Sequence, residues 1–367
     1  MIPVSDPIFG QEEEDNLVDC IRTKWVSSEG KYVKQFEKLC AEYSGVSDGI
    51  AVTSGTTALQ LAVKGLDLKE GSEIIVPSFT IISCLLAIIE AGLIPVLVDC
   101  DPETWCMDTG QIEGKITDKT SAIMVVHMYG HPVDMDPVDE LAKKYSLKTI
   151  EDAAEAHGAE YKGRKCGALA DVSILSFYAN KLITTGEGGM VLTSDPKIAD
   201  RVRSLRNMCF LPEKRFFHKS MGYNFRMSNL QAAVGVGQIN KLDQFVVRKR
   251  EMAALYTEGL KGLPIQLPVE KEWAHNNYWM YGVVLDDNVT LEMEECRRLL
   301  KEKGVDTRTF FIGMHEQPVL NEMGFFNGES YPVCDRMTRR GFYIPSGQAI
   351  TNEQIQTVID ALVEILG

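Results

Sequence analysis

Ser176-Phe177-Tyr178-Ala179-Asn180-Lys181, followed by Thr184-Thr185-Gly186-Glu187-Gly188-Gly189-Met190, sets a lysine between a β-rich run and a glycine-rich turn. Val172 to Phe177 reads as a strand, so Lys181 stands just beyond a strand end. A lysine buried at such a place has a depressed pKa and becomes a nucleophile towards carbonyls. The glycines allow close backbone approach and positive φ. They are not a dinucleotide fingerprint, because Val191 occupies the third glycine position, and no Gly-Lys-Ser/Thr closes a Walker A loop. A single loop lysine is ordinarily a solvated charge, so its meaning depends on what else lies at the same edge.

Working outward, strand and helix signals alternate. Glu73 to Val76, Pro95 to Val98, Ser121 to Val126, Leu147 to Ile150 and Met190 to Thr193 read as strands. Phe79 to Ala91, Asp136 to Tyr145 and Pro196 to Arg206 read as helices. That order predicts an α/β fold with a mostly parallel mixed sheet covered on both faces. The character changes near Leu242. A charged helix over Lys241 to Gly259 precedes a strand at Tyr281 to Leu285 and a helix at Leu291 to Lys303. A strand at Asp306 to Phe311 and an amphipathic helix at Thr351 to Leu366 complete the pattern. We expect a large domain over 1–240 and a smaller C-terminal α/β domain over 241–367, with the N-terminal segment free to pack on the smaller one.

In open α/β sheets, ligands bind beyond the carboxyl ends of the strands. Two further signals fall there. Thr53-Ser54-Gly55-Thr56-Thr57-Ala58-Leu59 follows the strand-like Ile50-Ala51-Val52 and opens an apolar-periodic helix. Free N–H groups, the helix dipole and small hydroxyls suit a phosphate there; a Ser/Thr helix cap is the ordinary alternative. Glu151-Asp152-Ala153-Ala154-Glu155-Ala156-His157 puts carboxylates at a buried strand end. A protonated ring nitrogen is one partner for Asp152, and a cap or salt bridge is the other reading. Taken together, a phosphate cradle, a carboxylate and a lysine match the phosphate, pyridine nitrogen and aldehyde of pyridoxal 5′-phosphate (PLP).

The chain has 367 residues and a formal net charge of −14, with both signs interspersed. No basic face points to nucleic acid. Phe79 to Val98 is the most apolar region, but Ser83, Glu90, Gly92 and Pro95 interrupt it, so no membrane span is expected. Met1 to Asp6 lacks a signal-peptide pattern, and a cytoplasmic location is expected. Nine cysteines without a C-x-x-C pair read as reduced core thiols. His127 and His131 are four apart, yet Gly130 and Pro132 flank His131, so a turn is expected and no metal site.

At these residues the sequence resembles the DegT/DnrJ/EryC1/StrS family of PLP-dependent sugar aminotransferases, of PLP fold type I. The resemblance runs nearly end to end. It includes Ile2-Pro3-Val4, Trp25 through Tyr32, Pro77-Ser78-Phe79-Thr80, Val98-Asp99 and His127 through Pro132. Gly222-Tyr223-Asn224-Phe225-Arg226-Met227 and Asn229-Leu230-Gln231-Ala232-Ala233 are the most characteristic. Within the family, Trp105 to Asp108, Ala122 to His127, Lys181 to Gly189 and Tyr278-Trp279-Met280 are similar to the branch that aminates GDP-linked 4-keto-6-deoxymannose.

The resemblance implies the roles that follow. Lys181 carries the cofactor and shuttles a proton, and Asp152 pairs with the ring nitrogen. Glu155 lies near the ring hydroxyl. Gly55, Thr56, Thr57 and Ser176 hold the phosphate. Asn224 reaches the phosphate of a neighbouring subunit, which implies a homodimer with sites at the interface. Ile81 stands where many members put an aromatic residue over the ring. Trp25, Ser27, Arg226 and His315 are candidates for the sugar end, and a structural role is the alternative for each. L-glutamate is the implied donor, leaving 2-oxoglutarate, and a nucleotide-linked keto-sugar is the acceptor. UDP- or dTDP-linked 3- or 4-keto sugars are alternatives. A related branch of dehydratases replaces the lysine with histidine, and Lys181 is intact here. A non-enzymatic PLP-binding regulator would call for a DNA-binding module, and no helix-turn-helix signal is seen.

Overall fold

The computed structural model describes all 367 residues except Pro212 and Arg215. Seven strands form the main sheet: β1 Asp48–Val52, β2 Glu73–Pro77, β3 Ile94–Val98, β4 Thr120–Val126, β5 Lys148–Asp152, β8 Val172–Ser176 and β9 Gly189–Thr193, in the order β1-β9-β8-β5-β4-β2-β3. Strand β9 is antiparallel to both neighbours and the other strand pairs are parallel. Strands β1, β5 and β8 therefore end at one edge. Strands β5, β8 and β9 are almost continuously buried, as strands covered on both faces must be.

β6 Glu160–Tyr161 and β7 Arg164–Lys165 join β11 Ala274–His275 in a small three-stranded sheet. β10 Ile265–Gln266, β12 Tyr281–Leu285, β13 Arg308–Thr309 and β14 Gly341–Ile344 form a second, antiparallel sheet in the order β10-β12-β14-β13. Its core cluster includes Tyr256, Leu260, Val283, Phe342 and Leu362, and is distinct from the cluster around the main sheet. Ile2 makes a parallel bridge with Val305 and donates its N–H to the Gly304 carbonyl at 2.7 Å, tying the start of the chain to this second unit.

The helices that matter for the site are α1 Gln11–Thr23, α2 Lys31–Ser44, α3 Gly55–Gly65 and α4 Ser83–Glu90. They continue with α5 Met135–Tyr145, α6 Pro196–Arg206, α7 Asn229–Ile239 and α8 Leu242–Gly259. The helix expected from Phe79 begins only at Ser83, because Ser78, Phe79 and Thr80 are buried in a turn that crosses the strand ends. The strand expected over Asp306 to Phe311 shrinks to Arg308–Thr309, which pair with Tyr343 and Phe342 of β14. Among the described residues no helix is long and apolar enough to cross a membrane. All nine cysteines are buried free thiols.

Candidate active site

Three loops meet at the shared strand edge. After β1, Ser54 caps α3: its Oγ accepts from Thr57 N at 3.2 Å, and the Thr57 hydroxyl bonds back to the Ser54 carbonyl at 2.9 Å. This leaves the first turn of α3 rigid, with its N–H groups at the edge. Gly55 is required here, because a Cβ would lie 2.8 Å from the Ser176 Cβ. Thr56 Oγ1 and Ser83 Oγ lie 2.9 Å apart, joining the turn to α4.

After β5, Asp152 is buried, and that burial raises its pKa against the pull of two hydrogen bonds. Ala154 N donates to Oδ1 at 3.0 Å and Cys84 Sγ donates to Oδ2 at 3.2 Å. Glu155 is buried three residues on, where burial raises its carboxyl to about 7 in opposition to Lys181. Its Oε2 accepts from Tyr129 N at 2.8 Å.

After β8, Lys181 follows a turn closed by its own N–H on the Tyr178 carbonyl at 2.9 Å. Its Nζ is 3.7 Å from Glu155 Oε1 and 3.6 Å from the centroid of the Trp279 ring. Burial lowers its pKa, and Glu155 and Asp152 resist the shift. The downward shift favours the uncharged amine, the form a nucleophile requires.

These groups line one cavity of about 330 Å³, together with Thr80, Ile81, Tyr178, Asn180, Trp279, Phe311 and Tyr343. Gly55, Thr56, Ser176, Asp152, Glu155, Lys181 and Ile81 all line it. Thr57 spends its hydroxyl on Ser54 and supports the turn from behind. Asn224 is exposed and outside the lining. Arg226 bonds Asn207, and its backbone bridges Val52. His315 bonds Asp335 at 2.8 Å and packs on Tyr331. Trp25 borders a second cavity of about 370 Å³ beside Lys31 and Asn229, and the Ser27 carbonyl accepts from Asn229 N at 2.9 Å. Within a single chain these four sugar-end candidates are not brought to the lysine.

Several lining residues were not singled out as site residues in the sequence. In the sequence Trp279 belongs only to a branch signature, and Phe311 and Tyr343 carry no local motif. Trp279 is held by all of its polar groups. Its indole N–H donates to the Asn180 carbonyl at 2.8 Å, its backbone N–H to Asn277 Oδ1 at 2.8 Å, and its carbonyl accepts from Lys249 Nζ at 3.0 Å. Asn277 is fully buried, and its amide also donates to the carbonyls of Glu155 and His157. His127 and His131 do not converge: His127 pairs with Glu151, and His131 with the Pro132 carbonyl.

The donor set fits PLP on structural grounds. The glycine-opened helix start can receive a phosphate, the buried acid at Asp152 needs a cationic partner, and Lys181 faces both across one cavity. A family model for the DegT/DnrJ/EryC1/StrS aminotransferase family matches residues 7–363. The chain is 39% identical to the GDP-perosamine synthase of Escherichia coli O157:H7 over 363 residues, covering 99% of this chain and 98% of that protein. It is 34% identical to the GDP-perosamine synthase of Vibrio cholerae, with 99% and 98% covered. Among solved structures, S. venezuelae DesV superposes with a TM-score of 0.89 at 35% identity, covering 96% of this chain and 94% of that one.

Proposed function

The chain belongs to the DegT/DnrJ/EryC1/StrS aminotransferase family, and from that premise we propose that it aminates GDP-4-keto-6-deoxymannose to GDP-perosamine with L-glutamate as donor. That it is a PLP-dependent sugar aminotransferase follows from the family. The GDP-sugar assignment is supported by relatives of that name at 34–39% identity over nearly their full length. Two dTDP-sugar transaminases at 37% and 38% identity cover 91% of the chain, so a dTDP-linked 3-keto acceptor is the competing reading.

The single observation that carries the site reading is the meeting of Lys181, Asp152 and the α3 N-terminus in one cavity. Bound PLP supplies storage of the amino group between two half-reactions and delocalisation of charge at the reacting carbon. Lys181 would hold the cofactor through Nζ, and the same atom would hold and move the proton. Asp152 keeps the ring nitrogen protonated from its Oδ atoms. Glu155 stands beside Lys181, positioned for the ring hydroxyl. Gly55, Thr56 and Ser176 bind the phosphate, and Thr57 fixes the turn that they share. Ile81 gives an aliphatic contact at the cavity mouth. Trp279, Phe311 and Tyr343 exclude water on the side of the second sheet.

The exposed Asn224 supports a role across a subunit boundary, and with it a homodimer with shared sites. Exposed apolar groups at Trp25, Ile81, Tyr178 and Met221 also support an interface. Trp25, Ser27, Arg226 and His315 are proposed for the sugar end in that assembly. The second core cluster, drawn from Met252 to Leu362, supports a smaller domain within 241–367, although Phe245, Trp279, Phe310 and Met337 of that stretch pack into the main-sheet cluster. A cytoplasmic location is part of the same proposal.

The test is spectroscopic. The PLP-loaded protein should lose its visible cofactor band on adding L-glutamate and regain it with GDP-4-keto-6-deoxymannose. Faster recovery with a dTDP-linked keto-sugar would overturn the nucleotide assignment. A Lys181→Ala protein that still formed the band would overturn the role of the lysine.

A further inference from the structure

Asp152 lies at the end of β5, and Cys84 lies in the first turn of α4, a helix on a different strand connection. The two side chains are buried together, and Cys84 Sγ is 3.2 Å from Asp152 Oδ2. Burial and the neighbouring carboxylate raise the thiol's pKa well above its ordinary value, so the sulfur keeps its proton. A carboxylate can only accept, so the direction of this bond is settled: S–H donates to Oδ2. Thr80 Oγ1 also lies 3.3 Å from the sulfur. Thr80 is itself buried and lines the cavity. Its hydroxyl can donate to Sγ while the thiol donates to Asp152, giving a chain Thr80–Cys84–Asp152 that fixes the sulfur's rotamer.

The carboxylate has few other supports. Ala154 N binds Oδ1, and Cys84 is the side chain that binds Oδ2. The titratable groups facing Asp152 are Cys84 on α4, His127 after β4, Glu155 on its own loop and Lys181 after β8. A buried carboxylate left with one donor is more easily protonated, and the neutral acid no longer holds a ring nitrogen in its cationic form.

We infer that Cys84 is a positioning residue for the cofactor: its thiol orients Asp152 and keeps it ionised, with Thr80 orienting the thiol. This rests on the proposed pairing of Asp152 with the PLP ring. The residue reads as one more buried cysteine in the sequence, and its role appears only where α4 meets the end of β5.

The experiment measures PLP affinity by titrating cofactor-free protein between about pH 5 and 8, with folding checked by circular dichroism. The variants are Cys84→Ser, which keeps a donor, Cys84→Val, which keeps bulk without one, and Asp152→Asn. We expect Cys84→Val to weaken PLP binding about tenfold, the effect of losing one hydrogen bond to a charged group. Its loss should grow as the pH falls, whereas Cys84→Ser stays near wild type. The visible band of the bound cofactor should titrate at a higher pH in Cys84→Val than in Cys84→Ser. If both variants weaken binding equally and without pH dependence, the residue acts by packing and the inference fails. If Cys84→Val binds normally while Asp152→Asn does not, the inference fails alone. If Asp152→Asn also binds normally with an unchanged band, the Asp152 reading fails and takes this inference with it.

Discussion

The Trp279 ring lies over Lys181, with Nζ 3.6 Å from the ring centroid. Lys181 lies in the loop after β8 and Trp279 in the loop before β12, and the indole N–H is anchored one residue from the lysine, on the Asn180 carbonyl. The indole thus closes the cavity on the side of the second sheet and offers its π face to the ammonium form of Lys181.

Trp279→Phe keeps a ring there but leaves the Asn180 carbonyl without its donor. We expect a loss of about 1–3 kcal/mol in urea unfolding. Asn277→Ala removes the acceptor for the Trp279 N–H and the donor to two loop carbonyls, so its loss should be larger. Because the two side chains act on one segment, a double-mutant cycle should show coupling above about 0.5 kcal/mol.

Glu155 titrates near 7 in the folded chain because it is buried. Its folded pKa lies above the unfolded value, so the folded state binds more protons in between. Stability of the cofactor-free protein should therefore fall as pH rises from about 4.5 to 7, by on the order of 3 kcal/mol at most from this group. Glu155→Gln should remove that part of the slope. Denaturant midpoints of both proteins across the window give the comparison, and parallel curves would reject it.

Lys249 is buried on α8 with its Nζ bonded to the carbonyls of Trp279 and Ser346. Burial lowers its pKa to about 7. The unfolded chain then binds the extra proton between pH 7 and roughly 10, so wild-type stability should gain over that range. Lys249→Met has no such proton to lose. The difference in unfolding free energy between the two proteins should tilt towards wild type as pH rises, and a flat difference would show that the lysine is not desolvated.

A shared site predicts complementation. Lys181→Ala and Asn224→Ala homodimers should each be weak. Mixed after subunit exchange, heterodimers hold one site with an intact Lys181 from one chain and an intact Asn224 from the other. Activity should return towards a quarter of wild type, as expected for half the chains pairing and one site in each. No recovery despite exchange, followed by mass spectrometry of tagged chains, would place Asn224 outside the partner's site.

Much of this site was legible in the chain because its chemistry is local to strand ends. Asp152, Ser176 and the Ser54-Gly55-Thr56 turn each sit within a few residues of a strand's end, and parallel strands on one sheet bring such ends to a common edge. Lys181 was legible for the same reason, flanked by a strand and a glycine-rich turn. The continuous apolar run puts the expected helix start at Phe79 rather than at Ser83, because periodicity does not tell a buried turn from a buried helix.

The sequence by itself determined the α/β alternation, the strand-end groups and the family to which they belong. Only the tertiary structure decided which distant side chains act on those groups. Cys84 stands 68 residues from Asp152, and Trp279 stands 99 from Asn180. Strand and helix periods record which face of an element is buried, but not which neighbour is packed against it. That pairing is set by how the helices and the second sheet close over the edge of the first, where most buried polar groups find a partner.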